Sequence, residues 1–340
     1  MKTTVIRSII PLLGSAILGA SLCAQETDET AVVRDLWNTP DIFPPEFFPE
    51  ADTLTKNDIF IEGLKSYFPN RVYRERPELN PGPDTEPRIE NMMAGVTYIR
   101  VYNLASALPI LERELPNGTL VIDLRNVQAD RDRALQFCSL LAIDEGITLS
   151  LIELHQAEDS DATGETLAIE PAVIRRPLQP VFTLTNRDTA GPVEAVLAEL
   201  KDRGQIISIG TSTAGRTGSF RRVMEDPSLY VLSGELRPGS GVSLLKTGFV
   251  PSVNIAVSPD DDRAAYQAME DGKSLRALVR SENDHNSDDL VEALGFQELL
   301  EQDDTPSEED AGIVDPILQR AYFIATALKS IGKIPAPESN

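Results

Sequence analysis

The stretch that decides the fold is VFTLTNRDTAGPVEAVLAELKDRG, residues 181–204. It opens with a short apolar run of the kind that forms a buried strand. After Gly191 and Pro192, apolar residues recur at helical spacing, namely at Val193, Val196, Leu197 and Leu200. The stretch therefore predicts a strand, a turn and a helix in succession.

Similar units lie on both sides of this stretch. Short apolar runs predict strands at residues 97–101, 120–124, 206–209, 230–232 and 242–245. Between two of them a helix is predicted from the spacing of Ala134, Phe137, Cys138 and Leu141. Beyond Pro259 the pattern is helical, and the last predicted helix carries one apolar face, formed by Val314, Ile317, Leu318, Ala321, Ile324 or Ala325, and Leu328. Strands that alternate with helices predict an α/β domain.

The N-terminal residues 1–24 have the pattern of a secretory signal peptide. Lys2 and Arg7 precede an uncharged run that ends in Leu22-Cys23-Ala24, a small-residue cleavage pattern. We expect cleavage after Ala24 and a periplasmic or secreted mature chain. The apolar run is too short for a membrane anchor and acidic residues follow it, so no transmembrane span is expected in the mature chain.

Residues 25–93 are rich in proline and acidic residues. Prolines at several positions, among them 40, 44, 45, 49, 77, 81, 83 and 87, interrupt any long helix or strand. This composition predicts an irregular arm that lies over the main domain.

The net charge argues against one class of partner, nucleic acids. It is −23 for the whole chain, and removing Lys2 and Arg7 makes it −25. A chain this acidic repels phosphate backbones, which argues against nucleic-acid binding. After cleavage Cys138 is the one remaining cysteine, so neither an intramolecular disulfide nor a cysteine metal cluster is expected.

Several motifs follow one another in a recognisable order. They are YIRV, LVIDLRN, LTNRDTAGPVEAVLAELKDRG, IISIGTSTAGRTGSF, TGFVPSVNI and DPILQRAYFIATAL. Together they resemble the C-terminal-processing (tail-specific) serine proteases over about residues 94–329. The resemblance implies a crotonase-like α/β core within a domain at residues 94–335, with a helical C-terminal segment.

The resemblance also implies that the catalytic machinery is altered. The family's nucleophilic serine follows a Thr-Ala or Ser-Ala pair, whereas here Thr189-Ala190 is followed by Gly191. The family's lysine base stands about 25 residues further on, and 216 − 191 = 25 leads to Arg216, whose guanidinium stays charged and cannot accept a proton. The supporting glutamine corresponds to Phe220.

The loop that helps to form the family's oxyanion hole is altered too. A Pro-Gly-Gly is expected after the LVIDLRN motif, but this chain has Gln128-Ala129-Asp130. A carboxylate at Asp130 would oppose a developing oxyanion if it pointed inward. These changes favour a pseudoprotease that binds a polypeptide segment or an envelope protein without cutting it.

The same residues allow other interpretations. Gly191 as N-cap, Pro192 at the first helical position and Glu194 in the first turn make an ordinary helix start. Alternatively, the free amides of this helix end, together with Arg216, could bind a carboxylate such as a peptide C-terminus.

An active hydrolase with a relocated nucleophile also stays open. Hydroxyls and amines near the altered site are supplied by Ser212, Ser219, Ser240, Lys201 and Lys246. A carrier that closes over an apolar small molecule is a third hypothesis, which requires an enclosed apolar pocket.

No cofactor or metal is predicted. The glycine-rich turn at residues 210–217 lacks the lysine and the spacing of a phosphate-binding loop. His155 and His285 stand far apart, among polar residues. The run Asp260-Asp261-Asp262 fits the start of the next helix better than a calcium loop.

Overall fold

The computed structural model describes residues 72–73, 79–92, 95–114, 118–143, 146–153, 163–172, 181–222, 229–279 and 313–330. The predicted signal peptide, most of the predicted arm, His155 and His285 lie outside these residues. The chain divides into two units. The first comprises Met1–Glu78, Thr148–Leu167 and Gly215–Lys246, and the second comprises Leu79–Ile147, Ala168–Ala214 and Thr247–Asn340.

Strands and helices alternate along much of the described chain. In order they are β1 (Val72–Tyr73), β2 (Arg88–Met92), β3 (Val96–Arg100), α1 (Leu104–Glu114), β4 (Thr119–Asp123), α2 (Arg131–Leu141), β5 (Ile147–Glu153), β6 (Thr163–Ile169), β7 (Val181–Thr185), α3 (Val193–Asp202), β8 (Ile206–Gly210), β9 (Gly218–Arg222), β10 (Tyr230–Pro238), β11 (Val253–Asn254), α4 (Pro259–Glu270), α5 (Leu275–Val279) and α6 (Pro316–Ser330). The prediction of a mixed α/β chain is confirmed. The narrower crotonase-like assignment stays a prediction.

The second unit contains a sheet with the strand order β11-β8-β7-β4-β3-β2. Its neighbours pair in parallel from β11 to β3, and β2 pairs antiparallel with β3. Every residue of β3, β4 and β7 is buried. Central strands of a parallel sheet are covered on both faces, which is why they read as continuous apolar runs.

Strand β2 is a departure from the sequence prediction. The irregular arm was expected to continue to residue 93, yet Arg88–Met92 is a strand at one edge of the sheet. Pro87 stands just before β2, and an edge strand tolerates proline at its start. The strand forms because all five of its residues find partners on β3, from Arg88 opposite Arg100 to Met92 opposite Val96.

Helices of the second unit pack on this sheet. Helix α6 buries Ile317, Leu318 and Ala321 in a core cluster that includes Phe182 and Ile209 from the central strands. Helices α2 and α3 contact each other, and α2 buries the predicted residues Ala134, Phe137, Cys138 and Leu141. None of the described helices is both long and apolar enough to cross a membrane.

The strands of a second sheet fall in the first unit, apart from the terminal residues of β5 and β6. Its order is β1-β10-β5-β6, with β9 also paired to β10. Strand β10 pairs antiparallel with β1, β5 and β9.

The strand predicted at residues 242–245 is wrong. The segment is a loop in which Ser243 Oγ and Leu244 N donate to Glu235 Oε1, at 2.9 and 3.1 Å. Leu244 and Leu245 are buried although they lie in a loop. A short apolar run indicates burial, and here it was mistaken for a strand.

Candidate functional site

The turn between β7 and α3 lies beside the loop that follows β4. Ala190 N donates to Val127 O at 3.0 Å, and Ala129 N donates to Ala190 O at 3.2 Å. Gln128 and Ala190 thus form a parallel bridge outside the named strands. The two segments that the resemblance assigns to one site are brought together in the structure.

Gly191 occupies a position that excludes a side chain. Its φ is +94°, and a Cβ built on it would lie 2.5 Å from the carbonyl oxygen of Ala129. The residue is buried. A hydroxymethyl group at this position would require both a strained backbone and movement of the neighbouring main chain.

Glu194 uses the amide that the anion-binding hypothesis needs. Gly191 N donates to Glu194 Oε1 at 3.0 Å, and Thr213 Oγ1 donates to Glu194 Oε2. Thr213 Oγ1 in turn accepts Phe249 N at 2.7 Å. The fully buried carboxylate of Glu194 therefore joins the start of α3 to the loop after β8.

The helix start differs slightly from the prediction. Helix α3 begins at Val193 with Pro192 as its N-cap, one residue later than expected. The bond from Gly191 to Glu194 has the three-residue spacing of the glutamate half of a capping box, although it reaches the residue before the N-cap. Sequence reasoning placed Glu194 in the first turn but missed this bond, which the capping-box spacing would have indicated.

Asp130 acts as a helix cap. Its Oδ1 accepts Arg133 N at 2.9 Å, at the start of α2, and the residue is exposed. Ala129, another of the three replaced loop positions, is buried. Because the amide of Ala129 already donates to Ala190 O, it is not available to an oxyanion in this conformation.

A segment of the predicted arm lies against Gly191. A Cβ on Gly191 would lie 3.2 Å from both Cδ atoms of Leu79. The next residue, Asn80, donates its backbone N–H to Gln128 Oε1 at 2.9 Å. The side of the site around Gly191 is therefore already covered by this chain's own residues.

Arg216 and Phe220 belong to the first unit, whereas Gly191, Ala129 and Asp130 belong to the second. Phe220 stands on β9 and packs edge-on against Tyr73, with ring centroids 5.0 Å apart. Burial raises the pKa of Tyr73, and the positive charge of Arg216 opposes that shift. Within its own unit, Phe220 thus serves apolar packing.

The serines and lysines named for a relocated nucleophile form no hydrogen-bonded pair in the part of the chain that the structure describes. Lys201 Nζ donates to Val250 O at 3.0 Å and lies 5.2 Å from the centre of the Phe249 ring. Ser240 and Lys246 are exposed. Across the described ranges, no hydrogen bond joins Ser212, Ser219 or Ser240 to either lysine amine.

A buried ion network lies beneath the site, in the LVIDLRN motif. The Arg125 guanidinium contacts Asp123 at 2.7 Å, Asp315 at 2.8 Å and Asp262 at 3.3 Å. Tyr98 donates its hydroxyl to Asp123 Oδ2 at 2.7 Å. Burial, the largest single influence, favours the neutral acid, but the charge and hydrogen bonds of Arg125, the charge of Arg100 and the Tyr98 hydrogen bond together hold the pKa of Asp123 below its ordinary value of 3.8.

The network also holds the turn after β4, at Asn126, and the turn after β7, at Asn186. Asn186 Nδ2 donates to Asp262 Oδ2 at 2.8 Å and to Asn126 Oδ1 at 3.0 Å. Asn126 N donates back to Asn186 Oδ1 at 3.0 Å, which stabilises the left-handed backbone of Asn126 at φ +64°. The sequence predicts Asp262 only as an acidic residue at the start of α4, but in the structure it also binds Arg125 and Asn186. Burial raises the pKa of Asp262, and the charge of Arg125 opposes this shift.

No metal site emerges from the described residues. They contain no group of three or more histidine, cysteine, aspartate or glutamate residues placed to hold an ion. Of the predicted acidic run, Asp261 N is capped by Ser258 Oγ at 3.1 Å and Asp260 pairs with Arg263 at 3.1 Å.

Comparisons with known proteins add a likeness at the level of the fold. No protein-family model and no curated protein matches the chain. A solved structure of a candidate peptidase from Parabacteroides merdae is 12% identical, with a TM-score of 0.49, over 72% of this chain and 89% of that one. A candidate S41 protease from Bacteroides fragilis is 21% identical, with a TM-score of 0.39, over 53% and 52% of the two chains.

A photosystem II D1 C-terminal processing protease is 19% identical, with a TM-score of 0.37, over 55% of this chain and 46% of that one. Proteases of the tail-specific type are thus among the structures that this chain resembles. At these identities and TM-scores, the likenesses assign neither a residue role nor an activity.

Proposed function

We propose that this chain is a tail-specific-protease-like domain that has lost hydrolysis and binds a polypeptide segment or an envelope protein. The observation that carries the proposal is the geometry at Gly191, where a Cβ would lie 2.5 Å from Ala129 O. The position that the resemblance assigns to the nucleophile is thus built around the absence of a side chain. A simple loss of the serine hydroxyl would have left that space open.

The hydrogen bonds around Gly191 support the same conclusion. An acyl-transfer site needs free donors aimed at the developing oxyanion. Here the amides of Ala129, Ala190 and Gly191 donate to Ala190 O, Val127 O and Glu194 Oε1 respectively. Three neighbouring donors are thereby committed to the fold.

The residue at the position of the general base is equally unsuited to catalysis. Arg216 carries a guanidinium, which stays protonated at any accessible pH and cannot take a proton from a hydroxyl. Loss of either the nucleophile or the general base of a serine-protease triad costs about 10⁶-fold in kcat. The combined changes should leave no measurable turnover by the family's mechanism.

We further propose that the protein acts outside the cytoplasm, in the periplasm or as a secreted protein. The support is the N-terminal sequence pattern, with Lys2 and Arg7 before an uncharged run that ends at Ala24. The partner is accordingly sought among envelope proteins and unfolded polypeptides.

A degradation assay tests the loss of activity. Protein expressed from Gln25 is incubated with reduced casein and, separately, with a fluorophosphonate probe that labels reactive serines. We expect neither cleavage nor labelling. Degradation of casein that persists in a Gly191→Ala variant, together with labelling of a serine, would establish the relocated-nucleophile hydrolase instead.

A further inference from the structure

The segment that leads into β2 is held against the altered site by consecutive contacts. The Cδ atoms of Leu79 lie 3.2 Å from the Cβ position of Gly191, and Asn80 N donates to Gln128 Oε1 at 2.9 Å. Both contacts fall on the turn and loop that the resemblance assigns to the nucleophile and the oxyanion hole. A side chain and a main-chain donor of the segment therefore engage the site together.

The following residues fix the path of this segment. Gly82 has φ +83°, and a Cβ there would lie 2.3 Å from Tyr102 O, so its backbone docks directly on that of Tyr102. Asn80 Oδ1 accepts Gly82 N at 3.2 Å, which closes an Asx turn. Farther on, Ser106 Oγ donates to Thr85 O at 2.8 Å.

The composition of the segment reduces the entropy lost when it docks. Pro81 and Pro83 have fixed φ angles, and Pro81 also restricts Asn80 to extended backbone. A ligand that is rigid in its bound form loses less entropy on binding. The segment is thus an extended, preorganised stretch that presents to the site one leucine side chain and one main-chain donor, the N–H of Asn80.

We infer that residues 79–82 act as a built-in ligand of the site around Gly191, and that the site accepts in trans an extended polypeptide with a leucine-sized side chain. The inference rests on the proposed function and names the class of polypeptide. Because the built-in ligand is tethered, its effective concentration is in the millimolar range or above, so a partner binds only after displacing it.

Gly191 acquires a positive role on this basis. Both Leu79 methyl groups lie 3.2 Å from the position that a Cβ on Gly191 would occupy, so the absence of a side chain there leaves room for the leucine. Gln128, at one of the replaced oxyanion-loop positions, supplies the acceptor for the main chain of the ligand. Two departures from the protease motif are thereby explained by one contact surface.

A peptide copy of the segment tests the inference. The probe is a fluorescent peptide of residues 76–84, RPELNPGPD, with photo-leucine in the place of Leu79 in a second version. Binding is measured by anisotropy on the full chain from Gln25, as wild type and as Leu79→Ala, which weakens the built-in ligand and leaves the site intact. Met92→Ala is the control, because Met92 is a partly buried residue at the end of the following strand, β2, and packs on the core cluster instead of on the site.

We expect the Leu79→Ala protein to bind the peptide at least about tenfold more tightly than wild type or Met92→Ala. A peptide with alanine in the place of leucine should lose about tenfold, and the photo-leucine version should crosslink to residues 127–130 or 189–194. Cooperative urea unfolding of each variant verifies that it is folded.

Equal binding by wild type and Leu79→Ala, no binding by either at about 1 mM peptide, or crosslinks elsewhere would overturn the inference. Those results would leave the casein assay untouched. Cleavage of casein by wild type would instead overturn the proposed function, whatever the peptide does.

Discussion

Glu194 and Gly191 are joined by a hydrogen bond of 3.0 Å from the glycine amide to the glutamate carboxylate. The same carboxylate accepts the Thr213 hydroxyl, and the side chain is fully buried. A buried carboxylate is tolerated only where donors surround it. The turn at the altered site is therefore held by a buried carboxyl group whose loss would leave two donors, Gly191 N and Thr213 Oγ1, without this acceptor.

Removing this carboxylate should destabilise the protein. We expect Glu194→Ala to lower the free energy of unfolding by about 3 kcal/mol, since each buried donor left unsatisfied costs about 1–3 kcal/mol and the two costs are only partly additive. Glu194→Gln keeps one acceptor and should cost about half as much. Urea denaturation measures both, with Asp202→Ala, an exposed residue of the same helix, as the control. A Glu194→Ala loss no larger than that of the control would contradict the assignment.

Restoring a serine at position 191 should harm the protein without restoring activity. Gly191→Ser places a Cβ 2.5 Å from Ala129 O at φ +94°, and we expect a loss of about 3 kcal/mol or more from combined strain and overlap. Gly272→Ser is a matched control, because Gly272 has the same φ with nothing within 4 Å. It should show the backbone strain alone, about 1 kcal/mol.

The comparison of Gly191→Ser with Gly272→Ser isolates the steric contact. Equal losses in the free energy of unfolding would mean that the main chain around Ala129 moves aside at little energetic cost. Casein cleavage by Gly191→Ser, alone or with Arg216→Lys, would show that the amides of Ala129 and Ala190 can be released to stabilise an oxyanion.

Sequence patterns predicted the elements and one half of the site. The apolar runs located β3, β4, β7 and β8, because strands buried on both faces read as continuous hydrophobic segments. The resemblance assigned Ala129 and Gly191 to one site, and the two residues lie next to each other in the structure because each follows one of two neighbouring strands of a parallel sheet.

Long-range contacts could not be predicted in this way. Leu79 stands 191 − 79 = 112 residues before Gly191, in a proline-rich stretch without periodicity. Asp262 likewise appeared to be a helix-start residue, because its contact with Arg125 spans 137 residues. Such pairings depend on the tertiary arrangement and leave no local signal.

The thiol of Cys138 should report on unfolding. Burial, with a smaller contribution from Glu199, raises its pKa to about 12. Only the thiolate attacks a disulfide reagent, so at pH 8 we expect DTNB to label native protein expressed from Gln25 about 1000-fold more slowly than protein unfolded in urea. Native labelling as fast as that of the unfolded chain would contradict the buried placement of this residue on α2.

Acid should destabilise the protein through the ion network around Arg125, because protonation of Asp123 weakens that network. Its pKa is held below the ordinary value of 3.8, so the stability it contributes is complete above that value and is lost as the pH falls through the lower, folded-state pKa. Asp262 acts in the opposite sense, because its pKa is raised and its protonation favours the folded state. The decline caused by Asp123 therefore appears below about pH 4.

Asp123→Asn tests this account. The substitution leaves the buried Arg125 with Asp315 and Asp262 as its remaining counter-ions, so we expect a loss of about 3 kcal/mol near pH 7 and a shallower fall in stability below about pH 4. Urea unfolding from pH 7 to pH 3 measures both quantities, and Asp188→Asn, an exposed carboxylate on the turn before α3, is the control. If wild type and Asp123→Asn lose stability in parallel below pH 4, other carboxylates cause the acid sensitivity and the prediction for Asp123 is wrong.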